Sequence, residues 1–249
     1  MYEGGGAAVL GSIQPQTIPM LDSGMLDLEA ARSAIKPHDS HFARTRLLCL
    51  ENTTDGKVVG LGDLEAGRDL VDEHNLGYHL DGARLWNAAV ALAVNPAEVA
   101  APFDTVSVCL SKGLGAPIGS VLVGPGELIS EARKWRKMLG GAMRQVGLIA
   151  AAGKHAVENH IERLAEDHHN AERLAEGLEA IDNIEVEAQN TNMVFVRASR
   201  DIGDLEDRLR NQGLLTRWAG PSSRMVVHLD VTTNDVNRAV SLIAEELGG

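Results

Sequence analysis

Short apolar runs alternate with longer amphipathic stretches through the first half of the chain. Each run ends in a polar residue or a glycine, and the runs occupy residues 45–52, 76–83, 104–111 and 119–124. The stretches 59–75 and 83–94 carry apolar residues at helical spacing. Because strands that alternate with helices form parallel sheets, this pattern predicts an α/β domain with a mostly parallel sheet whose strands are buried on both faces.

The pattern changes at Gly126 to longer helices and then to a second mixture of strands and helices. Helices are predicted at 127–140 and within 143–181, where at least one break must occur. Beyond them, strands are predicted at 184–188, 192–198, 214–219 and 224–231, and helices at 204–212 and 234–247. We therefore predict a large domain at 1–155 and a small C-terminal α+β domain at 156–249.

The charge balance and the cysteines narrow the class of protein. A formal net charge of −12 argues against nucleic-acid and anionic membrane partners, which require clustered Lys and Arg. The longest apolar stretch, 88–94, is far shorter than the ~20 residues that span a bilayer. Cys49 and Cys109 lie in apolar runs, so we expect two buried thiols and no disulfide framework, which fits a reducing cytoplasm.

A lysine stands where the third apolar run ends. Lys112 follows the run 104–111 and precedes the glycine-containing stretch GLGAPIG. Side chains at the carboxyl ends of parallel strands open into the ligand crevice of α/β sheets, and a lysine there can form a Schiff base with a carbonyl cofactor. The alternative from this stretch alone is an ordinary surface lysine in a loop.

An aspartate at the end of the second run favours the first interpretation. In HLDGAR (79–84), a short strand brings Asp81 to its carboxyl end, where a carboxylate can hold a protonated pyridine nitrogen. The period of two places His79 on the same side as Asp81, which it could orient. A strand-end aspartate followed by a strand-end lysine is more specific than either residue alone.

Several arginines and a lysine could bind anionic groups. Arg84 and Arg224 suit a substrate carboxylate, which a planar guanidinium grips through two hydrogen bonds, although each could be a surface residue. Lys137 and Arg144 flank a GG break and could face a phosphate or complement a helix end. The histidines match no metal-ligand spacing, so no metal is predicted.

Together these motifs resemble the low-specificity L-threonine aldolases, a family of fold-type I (aspartate aminotransferase-like) pyridoxal phosphate enzymes. The resemblance runs along nearly the whole chain, through GGAAVLGSIQPQ, HFARTRLLCLENT, HLDGARLWNA, LSKGLGAPIGSVLVG, WRKMLGGAMRQVG, AEDHHNAERLAEGL, TNMVFVR and HLDV. It implies pyridoxal 5'-phosphate-dependent cleavage of L-threonine or L-allo-threonine to glycine and acetaldehyde, in a homo-oligomer built as a dimer of dimers.

The resemblance also implies residue roles. Lys112 binds the cofactor covalently and Asp81 pairs with its pyridine nitrogen, so both are catalytic. Arg84 and Arg224 hold the substrate carboxylate. The residues on the cofactor side are Lys112, Asp81, His79, Arg84, Lys137 and Arg144, the last two near the phosphate or a neighbouring subunit's site.

Two departures from the family pattern shape the expectations. Thr54, placed with the substrate, stands where the family has a histidine, so water or another side chain must take the proton of the substrate hydroxyl. The chain also lacks the family's first stretch of roughly 85 residues. We therefore expect Met1 to match an internal methionine, and apolar surface and a strand edge to be uncovered.

Two other functions remain open at this point. One is a different pyridoxal phosphate enzyme acting on amino acids, a β-eliminating lyase or an aminotransferase. The other is a catalytically impaired chain that serves only as an assembly partner.

Overall fold

The structure is a computed structural model that describes residues 4–247, and these residues form two four-stranded sheets. The first sheet has the order β1-β2-β3-β4, with strands Leu47–Glu51, Gly77–Gly82, Thr105–Cys109 and Ser120–Val123. The first three are parallel, and β4 pairs antiparallel to β3. The fourth strand therefore departs from the parallel pattern, because the loop after β3 is too short for the crossover that a parallel neighbour requires.

Five helices accompany this sheet: α1 (Gly6–Gly11), α2 (Leu28–Ala34), α3 (Leu61–His74), α4 (Leu85–Leu92) and α5 (Pro96–Ala100). The sequence pattern predicted α3 and α4 and missed the three short ones. Their signals lie in the caps: Asp27 accepts hydrogen bonds from the first turn of α2, and Asn95 forms a capping box with Glu98 at the start of α5.

The first sheet buries only one face in the described residues, so the prediction of burial on both faces is wrong. Leu48 and Leu50 of β1 are buried against α3, whereas Cys49 and Glu51 between them are exposed. The alternation follows from the period of two along a strand. Cys49 is consequently not the buried thiol that its apolar neighbours suggested, and all of β4 is exposed.

The second half begins with three helices, α6 (Gly126–Met138), α7 (Gly147–Asn159) and α8 (Leu164–Glu179), so a break within 143–181 is confirmed. A sheet of order β5-β6-β8-β7 follows, all antiparallel, with strands Ile184–Asn190, Met193–Ala198, Trp218–Ala219 and Ser222–Val226. Two helices, α9 (Leu205–Asn211) and α10 (Thr233–Leu247), complete it. Helices α8 and α10 pack together, and α8 also packs on this sheet, around a second apolar core.

Two predicted strands of this half are shorter or shifted. The stretch 214–219 pairs only at Trp218–Ala219, and the strand predicted at 224–231 starts at Ser222 and ends at Val226. Its last residues instead form a turn in which the Val231 N–H donates to the His228 carbonyl at 2.8 Å. The division at residue 155 stays a prediction, and it falls inside α7. Within residues 4–247, none of the helices combines the length and apolar character needed to cross a membrane.

Candidate active site

The carboxyl ends of the parallel strands place acidic side chains on the open face of the first sheet. Glu51 of β1 lies in register with Asp81 of β2, which lies in register with Ser107 of β3. Residues in register on neighbouring strands project to the same face. The Asp81 Oδ1 atom accepts a 3.0 Å hydrogen bond from the Ala83 N–H, which anchors the carboxylate at the turn after β2.

Lys112 lies in the loop that joins β3 to β4, and its side chain is exposed. Backbone hydrogen bonds close this loop on itself: the Leu110 N–H donates to the Gly119 carbonyl at 3.0 Å, and the Gly115 N–H donates to the Lys112 carbonyl at 2.8 Å. Gly115 has a φ of +69°, a conformation that glycine adopts without steric cost. The lysine therefore stands on an internally bonded turn at the end of the strand.

Charges from three elements converge near Glu51. Burial and the Asp81 carboxylate raise the pKa of Glu51, whereas Lys112 and Arg84 act in the opposite direction. Amine, carboxylates and guanidinium are thus close enough to interact electrostatically, although they come from different strands. Lys112, Asp81 and Arg84 therefore lie around Glu51, a residue outside the predicted set, and their roles in binding and catalysis stay predictions.

The two predicted carboxylate-binding arginines approach each other. Arg84 lies just before α4, with its N–H donating to the Asn52 carbonyl at 3.3 Å. Arg224 lies on β8 of the second sheet, opposite Phe195 of β6. Burial, followed by the positive charge of Arg224, lowers the pKa of Arg84. Two neighbouring guanidinium groups are the donors that suit an anion, and the binding of a carboxylate by Arg84 and Arg224 stays a prediction.

His79 faces the same side as Asp81 but is bonded elsewhere. Its Nδ1 atom lies 2.7 Å from Thr105 Oγ1, and burial lowers the pKa of the ring. Among the described residues, no hydrogen bond joins His79 to Asp81. The structure therefore does not show His79 orienting the aspartate directly. The Asp81 charge still acts on the ring, partly offsetting the effect of burial.

Thr54 is buried. Only 5% of the residue is exposed, and its Oγ1 hydroxyl donates to the Glu51 carbonyl at 3.2 Å. The backbone of Thr54 exchanges two hydrogen bonds with Lys57 in a tight turn. A contact between Thr54 and the substrate stays a prediction, and this internal hydrogen bond disfavours it.

Lys137 and Arg144 lie on an exposed part of the molecule. Lys137 is in the last turn of α6, a helix that buries no residue, and Arg144 follows in the turn before α7. Within residues 4–247, neither side chain is among the charges that act on Glu51 or on Arg84. The role of Lys137 and Arg144 at a phosphate stays a prediction.

Sequence reasoning missed Glu51. The residue ends the first apolar run, and the strand-end argument that selected Asp81 and Lys112 applies to it equally.

Comparisons with known proteins identify the family of this chain. A family model described as Beta-eliminating lyase matches residues 1–201. The low specificity L-threonine aldolase of Escherichia coli (strain K12) is 47% identical over 233 residues, which cover 93% of this chain and 69% of that protein. The low-specificity L-threonine aldolase 1 of Arabidopsis thaliana is 39% identical over 259 residues, with 99% and 72% covered.

A solved structure shares the fold. A protein from Listeria monocytogenes EGD-E superposes with a TM-score of 0.80 at 22% identity, over 99% of this chain and 72% of that one. The likeness identifies the fold as the α/β, fold-type I arrangement, with strands β1 to β3 parallel and the smaller antiparallel sheet following. With the match to the family model and the identity to its curated relatives, the chain belongs to the beta-eliminating lyase family of pyridoxal-phosphate-dependent enzymes, among the low-specificity L-threonine aldolases.

Proposed function

We propose that this chain cleaves L-threonine and L-allo-threonine to glycine and acetaldehyde, using pyridoxal 5'-phosphate bound covalently to Lys112. One observation carries the proposal: Asp81 lies at the end of β2 and Lys112 follows the adjacent β3, and the charges of both, with that of Arg84, act on Glu51, while Arg224 acts on Arg84. The relatives named as threonine aldolases support the choice of substrate.

The donor set fits the cofactor. An aldehyde forms a Schiff base with an accessible amine and releases water. Lys112 offers such an amine, because the residue is exposed and lies on a turn that its own backbone hydrogen bonds hold. A pyridine nitrogen needs a carboxylate, and Asp81 keeps one oxygen anchored by Ala83 while the side chain stays exposed. When bound, the cofactor supplies an electron sink for the bond that breaks at the substrate Cα.

Arg84 and Arg224 would hold the substrate carboxylate between them. Binding an anion relieves the repulsion between the two guanidinium groups, which makes the site selective for substrates with a free carboxylate. Arg84 follows β2 of the first sheet and Arg224 lies on β8 of the second, so the substrate would be held between residues from the two halves of the chain. Holding the carboxylate at one end orients the rest of the amino acid toward Lys112.

Proton transfer from the substrate β-hydroxyl requires a base, and an alcohol such as Thr54 is too weak near neutral pH. We propose that a carboxylate oxygen of Glu51 receives this proton. Burial and the Asp81 charge raise the pKa of Glu51, which makes its carboxylate a stronger base than an exposed glutamate. Replacing Glu51 with glutamine should lower kcat at every pH and remove the acidic limb of the pH–rate profile.

The test of the main proposal is Lys112→Ala, with Lys154→Ala as a matched control on the exposed surface of α7. The purified chain is given pyridoxal 5'-phosphate and L-threonine, and imine absorbance, glycine and acetaldehyde are measured. We expect Lys112→Ala to lose the absorbance and the products, and Lys154→Ala to keep both. Pyruvate or a keto acid in place of glycine would instead indicate a β-eliminating lyase or an aminotransferase.

A second candidate function is assembly with other copies of the chain, with or without turnover. Exposed apolar side chains favour it: Leu122 and Val123 on β4, and Trp135 and Met138 on α6. If assembly is the function, Lys112→Ala keeps its oligomeric state, measured by light scattering, whatever its activity.

We further propose a homo-oligomer in the cytoplasm, where the free thiols Cys49 and Cys109 stay reduced.

A further inference from the structure

The backbone that follows Lys112 lies flush against two buried side chains. A Cβ atom added at Gly113 would be 2.8 Å from Leu164 Cδ2 and 3.1 Å from Asn87 Oδ1, so only a glycine fits without a shift of its neighbours. Asn87 belongs to α4, and Leu164 begins α8. The position of the Lys112 backbone therefore depends on how these two helices meet.

A single side-chain hydrogen bond joins the two helices at this point. Asn87 is 1% exposed, and its Nδ2 atom lies 3.1 Å from Nε2 of His168, which is half-buried on α8. An amide nitrogen only donates, so Nε2 accepts and the His168 proton resides on Nδ1. Burial lowers the pKa of His168, which keeps the ring in the neutral form that this hydrogen bond requires.

The same helix also holds the turn that follows the second sheet. The Asn170 Nδ2 atom donates to the Val231 carbonyl at 3.3 Å, and its Oδ1 atom accepts from the Thr233 hydroxyl at 2.9 Å. The preceding Leu229 packs on the Lys112 loop, where its Cδ2 atom would be 1.9 Å from a Cβ at Gly115. Helix α8 therefore contacts both the lysine loop and the turn that leaves β8.

We propose that Asn87 and His168 are positioning residues for Lys112. Their hydrogen bond fixes α4 against α8, and the buried amide of Asn87 supports the Gly113 backbone, which sets where the neighbouring lysine stands. Neither side chain touches substrate or cofactor in this assignment. The inference rests on the proposed function, because it matters for chemistry only if the Lys112 amine carries the cofactor.

Hydrogen exchange of the intact chain, without cofactor or substrate, tests the proposal. His168→Leu removes the acceptor, His168→Gln can retain one through Oε1, and His169→Gln changes an exposed neighbour that pairs with Glu172. We expect amides in peptides covering 110–119 to exchange about five- to tenfold faster in His168→Leu, corresponding to one lost hydrogen bond. His168→Gln and His169→Gln should stay close to the unsubstituted chain, and trypsin should cut after Lys112 faster only in His168→Leu.

A second variant guards against failure of His168→Leu to fold. Asn87→Ser shortens the other partner, and it should accelerate exchange in the same peptides. The proposal is overturned if loop exchange is unchanged in a folded variant, or if exchange rises equally in peptides covering β1 and β2. Because this readout needs no turnover, it is separate from the Lys112→Ala assay: loss of the aldolase assignment would leave the exchange result intact, and the reverse also holds.

Discussion

Replacing Gly115 with alanine probes whether the second half of the chain rests on the lysine loop. Gly115 has a φ of +69°, which costs a residue with a Cβ about 1 to 2 kcal/mol. The new Cβ would also lie 1.9 Å from Leu229 Cδ2, the end of a side chain that is 38% exposed, so Leu229 can turn aside at a cost of about 0.5 to 1.5 kcal/mol. We expect Gly115→Ala to lower the free energy of unfolding by about 1.5 to 3.5 kcal/mol in total.

A double-mutant cycle separates the two contributions. Leu229→Ala removes the overlapping atom but leaves the backbone conformation of residue 115 unchanged. In that background, Gly115→Ala should cost only the conformational part, about 1 to 2 kcal/mol, so the coupling energy between the two sites should be about 0.5 to 1.5 kcal/mol. Urea unfolding followed by circular dichroism supplies the four free energies.

The outcome that refutes this reasoning is additivity. If Gly115→Ala costs the same with leucine or alanine at position 229, the turn after β8 does not press on the lysine loop. A coupling of the expected size together with reduced turnover in Gly115→Ala alone would link the contact to the placement of Lys112.

Three further predictions concern buried polar groups. Asn52→Ala should lower the free energy of unfolding in urea by about 2 to 4 kcal/mol, because the buried amide exchanges two 3.2 Å hydrogen bonds with the backbone of Val59. A loss below about 1 kcal/mol would contradict this prediction. Asp167→Asn should cost about 1 to 3 kcal/mol, since the fully buried carboxylate binds the partly exposed Arg163 through two oxygens, and a neutral effect on the urea midpoint would be inconsistent with that pairing. Burial lowers the folded-state pKa of His168, so the unfolded chain binds more protons than the folded chain as the pH falls. The stability present above pH ~6.5 should therefore decline at lower pH. His168→Gln should make this decline smaller when melting temperatures are measured as a function of pH.

Much of the local structure follows from short-range pattern. Short apolar runs, each followed by polar residues or glycine, predicted the strands from Leu47 to Val123, because a strand needs only a few consecutive apolar residues to reach the core. The strand-end rule then selected Asp81 and Lys112; in the structure Asp81 lies at the end of β2, and Lys112 lies in the loop that follows the adjacent β3. The rule works because parallel strands all end at one edge of the sheet.

Errors arose where the outcome depended on distant residues. The apolar neighbours of Cys49 predicted a buried thiol, but exposure is decided by what covers the strand, and in the described chain only one face is covered. The antiparallel direction of β4 depended on the closure of the loop from Leu110 to Gly119. Apolar runs carry no information on strand direction, since both directions bury the same side chains.

The sequence by itself determined which residues can carry the chemistry: an amine and a carboxylate at strand ends, and arginines suited to an anion. Only the tertiary structure decided which side chains meet, because Arg84 follows the first sheet while Arg224 lies on the second, and Asn87 and His168 bond across two helices. Local pattern sets the identity and spacing of side chains along one element. Their encounters across elements are set by packing, which no single stretch of the chain encodes.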